Sequence, residues 1–494
     1  MVILMKNYSL WQQEVKRTYQ ELVKDTECDV LIIGAGISGI SIAYQLRNSK
    51  YKICVVESDM VGSKITARTT GKITYLQDLM YTKISDTYSF DVAKKYYEAQ
   101  KEAIETIKNI VQTENIACDF VEQSSYLFAS TKDEVKAIKK EAEILTNLHV
   151  KYKEIKKVPA KINSYYGIRV DDTYYFHAVK YLNALAKICF EHGISIYEKS
   201  VVKKFRKLND YYEVIVNNSI VKAKKIVFAG HYPFFLRPFL FPLKGCLEQS
   251  YISGIKVNEE KYSSGINTSK NTKSFRYHHD NSTNNNYLIY LSNSDVLNKV
   301  VNIEEKFNDL ESELHAKDLK GEYLWTNCDI ITNDYLPYIG KITNDFFIAT
   351  GYNTWGMTNS TIASLIIKDL INNETNKYTN IFNPNRIQDL FKIVKNMYYN
   401  VIPYFTTKIH PNKSIYPPNV KFTKKNGEDV AIYIDEANVE HIVYNKCPHL
   451  KCSLIFNEVE KTWDCPCHSS RFDIDGNCIK GPSNYNITYK KKNN

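Results

Sequence analysis

No stretch of this 494-residue chain approaches the roughly twenty consecutive apolar residues that a membrane-spanning helix needs. The N-terminus opens Met1-Val2-Ile3-Leu4-Met5 and turns polar at Lys6, too short a run for the apolar heart of a secretory signal. Dense blocks of one charge are missing as well. The formal net charge is +10, yet lysine is spread along the whole chain, and the one tight basic group is the tail at Lys490–Lys492. That pattern belongs to a solvated surface rather than to a nucleic-acid interface. Internal repeats are absent. A chain with no transmembrane segment and no nucleic-acid partner is expected, placed in the cytoplasm, and long enough for two or three domains.

Cysteine is sparse through most of the chain. Cys28, Cys54, Cys118, Cys189, Cys246 and Cys328 stand singly, in the manner of small buried hydrophobes. Cys447, Cys452, Cys465, Cys467 and Cys478 then crowd together near the C-terminus. In a cytoplasmic protein such a cluster indicates metal or redox chemistry rather than a secreted disulfide scaffold.

Hydrophobic patterning divides the chain. After a polar lead-in over residues 1–26 that contains Trp11, Cys28 to Ile33 is a β-branched run ending at glycine, as in a buried parallel strand. Helical periodicity follows from Ile37 to about Arg47, and a second buried strand runs from Lys52 to Glu57. Helices are predicted over about 91–113, 132–148, 178–192 and 357–372, with strands over 120–129, 194–202, 226–230 and 345–350. The Tyr-, Ser- and Asn-rich stretch 248–293 reads as hairpins and loops, with His278 and His279 in a polar loop. The fold class expected is an α/β dinucleotide-binding domain (27–90, 190–235 and 325–372) with an inserted α+β substrate domain (91–189 and 236–324). A connector over 373–410 then leads to a small all-β domain over 411–494 with short alternating strands and Pro/Gly turns.

Gly34-Ala35-Gly36-Ile37-Ser38-Gly39 fits G-x-G-x-x-G between a strand and a helix. Gly34 permits the tight turn, Gly36 lets backbone approach a pyrophosphate at the helix N-terminus, and Gly39 lets helix and strand pack closely. Glu57 stands 23 residues beyond Gly34. There it can hydrogen-bond a ribose hydroxyl and would repel a 2′-phosphate. The fingerprint alone leaves FAD and NAD open.

Cys447-Pro448-His449 and Cys465-Pro466-Cys467-His468 give C-x-H, fifteen residues, then C-x-x-H. Two thiolates on one iron and two imidazoles on the other make a [2Fe–2S] centre of the Rieske kind. On the residues alone, a small tetrahedral zinc site is the rival.

Over residues 27–372 the chain resembles the amino-acid-oxidase-like family of FAD enzymes. The match is carried by Ser200-Val201-Val202, by Asp334-Tyr335-Leu336-Pro337-Tyr338-Ile339-Gly340 and by Ala349-Thr350-Gly351-Tyr352-Asn353-Thr354-Trp355-Gly356-Met357. The resemblance implies FAD as cofactor, with the Val202 backbone at the adenine and Thr69, Thr70 and Gly71 against the isoalloxazine. It also implies Gly230 at the end of a cofactor-facing strand, and Gly351, Trp355, Gly356 and Met357 at the turn whose helix N-terminus meets the flavin. Over 411–494 the chain is similar to Rieske domains of the electron-transfer branch. That similarity implies Cys447, His449, Cys465 and His468 as ligands, a Cys452–Cys467 disulfide and a covering loop at Gly481-Pro482-Ser483.

Two departures bear on the cluster. Lys451 and Ser469 stand where the pattern usually has glycine, so altered loop angles are expected. Phe472 replaces a tyrosine, which lowers the expected reduction potential to an intermediate value, with Ser470 left as a hydroxyl donor. The order of the parts resembles the bacterial Rieske-containing FAD-dependent oxidoreductases. It implies an enzyme acting on a small molecule of amine or amino-acid type, with electrons exchanged singly with an external carrier such as a ferredoxin or quinone. His231, Tyr232 and Trp325 are the catalytic candidates. A Rieske oxygenase would need a second, mononuclear iron site, and a pyridine-nucleotide reductase a second glycine fingerprint; neither is found. A redox-sensing or assembly role for the Rieske module is the alternative from a different class.

Overall fold

The computed structural model describes residues 5–6, 8–235, 241, 244–296, 303–386 and 418–490. The connector beyond residue 386 and the tail at Lys491 and Lys492 lie outside the described residues. Two compact units emerge, one of Met1–His231, Ser250–Ser294 and Leu310–Ile387, the other of Tyr232–Gln249, Asp295–Asp309 and Gln388–Asn494.

The first unit holds a sheet whose centre is the strand Thr26–Ile33, buried on both faces over its second half. It pairs in parallel with Ser219–Phe228 on one side and Ile53–Val56 on the other. Ser195–Tyr197 extends the parallel set beyond Ile53–Val56, and Phe346–Thr350 extends it beyond Ser219–Phe228. Continuous apolar runs such as Ile53-Cys54-Val55-Val56 suit this position because helices cover the sheet. The helices Ile37–Leu46 and Gly356–Ile371, both largely buried, pack on one another.

A ten-stranded sheet carries the inserted part. Its order runs Met5–Lys6, Tyr323–Thr332, Gly245–Val257, Asn285–Val296, Lys273–Asp280, Ser263–Asn267, Val121–Ala129, Tyr166–Tyr175, Lys72–Ile73, with Lys153–Ile155 paired to Tyr166–Tyr175. The stretch 248–293 holds antiparallel hairpins as expected, Ser263–Asn267 with Lys273–Asp280 and Lys273–Asp280 with Asn285–Val296, but His278 and His279 lie on a strand rather than in a loop. The cause is an unusual buried face. Ser274, Arg276, His278 and Asp280 alternate along Lys273–Asp280 and are all buried, so polarity that reads as solvent exposure is polarity turned inward. The strand expected over 194–202 is broken as well. Lys199 takes φ 51°, and Glu198, wholly buried, accepts the backbone N–H groups of Thr18, Tyr19 and Val61.

In the second unit, Val420–Lys425, Glu428–Ile434 and Glu440–Tyr444 form one antiparallel sheet. Ile455–Asn457, Thr462–Asp464, Arg471–Phe472 and Cys478–Lys480 form another. Trp463, Phe456, Phe472 and Tyr433 fill the core of this all-β domain. Arg471 clamps its base, forking onto Asp464 at 2.9 and 2.8 Å and pairing with Glu460.

Candidate active site and cluster centre

The turn after Thr26–Ile33 admits only glycine at key places. Gly34 sits at φ 106°, and a Cβ on Gly39 would lie 1.8 Å from the Gly34 carbonyl oxygen. Gly36 caps the helix Ile37–Leu46 without a side chain of its own to obstruct a phosphate. The Ile37 N–H donates to Thr66 Oγ1 at 3.1 Å, and the Ser38 hydroxyl pairs with Tyr352 at 2.9 Å. Glu57 accepts the Ala35 N–H at 2.9 Å and pairs with Lys64 at 3.0 Å. Burial pushes its carboxyl up, but Lys64 and the N–H groups of Ala35 and Asp59 outweigh this and hold it below the ordinary carboxylate range. This narrow, Cβ-free cradle ending in an anionic acceptor fits the pyrophosphate and ribose of FAD. Val202 opens the strand Val202–Lys207, and Gly230 lies against Gly34.

A cavity in the same unit is lined by Thr69, Thr70, Lys72, Ile252, Ser274, Asn327, Asp329, Thr354, Trp355, Gly356 and Met357, among others. The predicted flavin segments on both sides of the chain thus meet at one cavity. Two features fix its walls. Gly71 sits at φ 70°, where a Cβ would strike the Arg276 guanidinium, and that guanidinium donates to the Thr70 carbonyl. Asn353 and Thr354 are left-handed in succession, at φ 50° and 71°. Asn353 Oδ1, which accepts from the Thr332 N–H at 2.8 Å, holds that turn in place. A β-branched residue at positive φ is a true outlier and marks a constrained site. Lys72 is buried, with Nζ donating to the Gly265 carbonyl at 2.8 Å and to Ser274 Oγ. Burial, and then the charge of Arg276, pushes its pKa down to about 7. Arg276, Lys72 and Asp329 are not legible as site residues in the sequence; polar alternation along Lys273–Asp280 points to Arg276 alone.

The catalytic candidates separate. Trp325 is fully buried beside Trp11 and Ile252, with Nε1 donating to the Arg68 carbonyl at 3.0 Å, and it is not among the cavity-lining residues. The His231 carbonyl accepts from the Thr350 hydroxyl at 2.5 Å. Tyr232 belongs to the second unit, its ring 5.2 Å from that of His468.

In the second unit two loops of like design face each other. In one, the Lys451 N–H donates to the Cys447 carbonyl and the Cys447 N–H to the Cys452 carbonyl. In the other, Ser469 and Ser470 make the same two bonds with Cys465. Each loop turns through a left-handed residue, Lys451 at φ 65° and Ser469 at φ 64°. The loop angles a glycine would set are therefore retained by residues that tolerate them poorly, which corrects the expectation of altered angles. The strain gives a prediction. Lys451→Gly, at an exposed position, removes a left-handed penalty of about 1–2 kcal/mol and regains flexibility in the unfolded chain worth about 0.5–1. The temperature at which cluster absorbance is lost should rise modestly; a fall would show that Lys451 serves another purpose.

The Cys447 and Cys465 thiols hydrogen-bond each other, Cys465 donating, which together with backbone N–H groups and Ser470 draws Cys447 down to about 7. The His449 and His468 rings stand edge to face, centroids 5.0 Å apart. Burial holds both neutral, His449 at about 4; for His468, burial and then His449 bring it to about 3. His449 Nδ1 is buried with no hydrogen-bond partner among the described residues, an orphaned donor site that metal coordination would satisfy. Cys452 and Cys467 are joined as a disulfide. The sulfurs of Cys452, Cys465 and Cys467 lie within 4.8 Å of one another. With two of the three bonded to each other, these sulfurs do not make a three-thiolate metal site. Two thiols and two neutral imidazoles remain, the donor set of a Rieske centre. Ser470 Oγ accepts the Ser483 N–H at 2.9 Å, tying down the loop that follows Gly481-Pro482.

Over residues 29–370 the chain matches the FAD dependent oxidoreductase family, and over residues 406–490 the Rieske [2Fe–2S] domain. It belongs to the FAD dependent oxidoreductase family, as an enzyme that binds FAD and carries a [2Fe–2S] cluster in a C-terminal Rieske domain. The Bacillus subtilis Rieske 2Fe–2S iron–sulfur protein YhfW is 30% identical over 480 residues, 94% of each chain. The gamma-glutamylputrescine oxidoreductase of Escherichia coli is 21% identical over 380 residues, covering 73% of this chain and 87% of its own. Glycine oxidase from Bacillus cereus shares the fold, with a TM-score of 0.59 at 18% identity, covering 73% of this chain and 99% of that one. Among the described residues no helix is long and apolar enough to cross a membrane.

Proposed function

We propose that the protein oxidises a small amine or amino acid in the cavity lined by Lys72 and Trp355, and delivers the electrons one at a time to an external carrier of ferredoxin or quinone type. One observation carries this reading: a single chain combines a two-electron cofactor site with a one-electron site. When bound, FAD takes up two electrons together and the [2Fe–2S] cluster holds one. The substrate loses two electrons and two protons to become an imine, which water hydrolyses.

The chain's own residues support an amine. Among the described residues lining the cavity, Lys72 and Asp329 are the only charged ones. Asp329 favours a cationic substrate. Lys72, as the neutral amine, has two N–H groups for its two acceptors, Gly265 and Ser274, and keeps a lone pair to accept the proton that an ammonium must shed before oxidation.

Lys72 is a cation below about pH 7 and a free base above it, so anaerobic flavin bleaching by substrate should speed up through that pH. Lys72→Met should remove this limb and slow bleaching by about 10²–10⁴-fold, the usual contribution of a general base. Unchanged bleaching in Lys72→Met would refute the role. A panel of amines and amino acids, scored by flavin absorbance, identifies the substrate class.

A further inference from the structure

Tyr232 follows Gly230 by two positions, yet it is part of the unit that carries the cluster loops. Its ring lies 5.2 Å from the His468 ring, tilted by 50°, and Phe241 braces it edge-on at 5.1 Å. The side chain is 7% exposed, and its hydroxyl is buried with no hydrogen-bond partner among the described residues. An unsatisfied buried hydroxyl costs about 1–3 kcal/mol, a penalty that phenylalanine would avoid. A phenol holds its proton at neutral pH, so Tyr232 has one to donate, and the Cys465 sulfur is near enough to interact with it.

Among the described residues of the Rieske loops, no tyrosine supplies that donor. Phe472, wholly buried, brings no hydroxyl to the cluster. Ser470 is committed to the Cys447 side, where it bonds the Cys447 sulfur and accepts the Ser483 N–H. Among the described residues, the rings packed on Tyr232 are those of His468 and Phe241. Cluster sulfur on the Cys465 side is the acceptor at hand.

We infer that Tyr232, reaching the cluster from outside the Rieske sequence, donates its hydroxyl to a sulfur on the Cys465 side and raises the reduction potential, the part Phe472 leaves unfilled. The inference rests on the ligand set Cys447, His449, Cys465 and His468. A hydrogen bond to sulfur stabilises the reduced, more negative cluster, so its loss lowers the potential. The residue that sets this value then lies in the segment that follows Gly230, outside the Rieske sequence.

The test is an EPR-monitored redox titration of the holoprotein. Tyr232→Phe keeps the ring and removes only the hydroxyl; the reduction equilibrium should shift about tenfold against the reduced form, which is 59 mV for a one-electron couple, with cluster content retained. Fluorotyrosine installed at position 232, a stronger donor, should move the midpoint the other way. A reduction equilibrium within twofold of the parent's in Tyr232→Phe overturns the inference. Should that variant lose its cluster, the fluorotyrosine protein decides alone, and an unmoved midpoint there overturns it equally. A parent protein with flavin but no [2Fe–2S] signal overturns the ligand set itself, which separates the two failures.

Discussion

Cys465→Ser should yield a yellow protein that has lost its cluster but is still reduced by substrate. Cys465 is one of only two thiols free to bind iron at the centre, since Cys452 and Cys467 are bonded to each other. The imidazoles of His449 and His468 cannot replace it, because the iron they serve is the other one. Altering the outer partners of a metal ligand typically costs 10–100-fold in affinity or activity. Losing a ligand outright costs more, so iron content should fall to near zero. The FAD cradle lies in the other unit and shares no residue with the loops, so flavin content should remain at the parent level. Flavin bleaching by substrate should persist, while transfer to a one-electron acceptor falls by at least about tenfold. The contrary result, full turnover with the one-electron acceptor and no iron, would leave the Rieske module as a sensor or assembly element.

Gly39→Ala should abolish FAD binding. A Cβ there would lie 1.8 Å from the Gly34 carbonyl oxygen and 3.3 Å from the Ile32 side chain. The obstacle is backbone, not a side chain that can swing aside. The helix Ile37–Leu46 must therefore withdraw from the strand, and the phosphate-binding turn opens with it. Overpacking of this kind costs about 1–3 kcal/mol and sometimes more. Gly36→Ala is the informative contrast. Its Cβ meets only Thr66 Oγ1 at 3.3 Å, so thermal stability should be nearly preserved while FAD affinity falls, because the methyl occupies the path of the pyrophosphate. Flavin-to-protein ratio and thermal denaturation measured side by side separate the two effects. Normal flavin content in Gly39→Ala would mean the turn is not the cofactor site.

Much of this architecture is readable because the chemistry that defines it is local in sequence. Gly34 to Gly39 and Glu57 belong to one strand–helix–strand unit, and each cluster ligand sits within three residues of another in a short loop. The helices Phe90–Thr113 and Ala178–Glu191 announce themselves by periodicity. What escapes is held by partners far apart in the chain. Arg276 and the Thr70 carbonyl it supports are separated by 206 positions, and Lys72 finds its acceptors at Gly265 and Ser274. Tyr232 reads as a flavin-side residue because it follows Gly230, yet its ring packs on His468. The polar residues on Lys273–Asp280 are the least legible, since composition cannot tell a buried polar face from a solvated loop. Lys451 and Ser469 show the converse: the loop shape persists where glycine is absent, because hydrogen bonds closing each loop onto its own cysteine enforce it.

The central claim, that electrons removed from substrate at the flavin reach the cluster, is tested by mixing the holoprotein anaerobically with a substrate that bleaches the flavin, then freezing samples for EPR. The reduced-cluster signal should grow as flavin absorbance falls in the parent and be absent from Cys465→Ser. A flavin that bleaches fully while the parent's cluster stays oxidised would contradict the account.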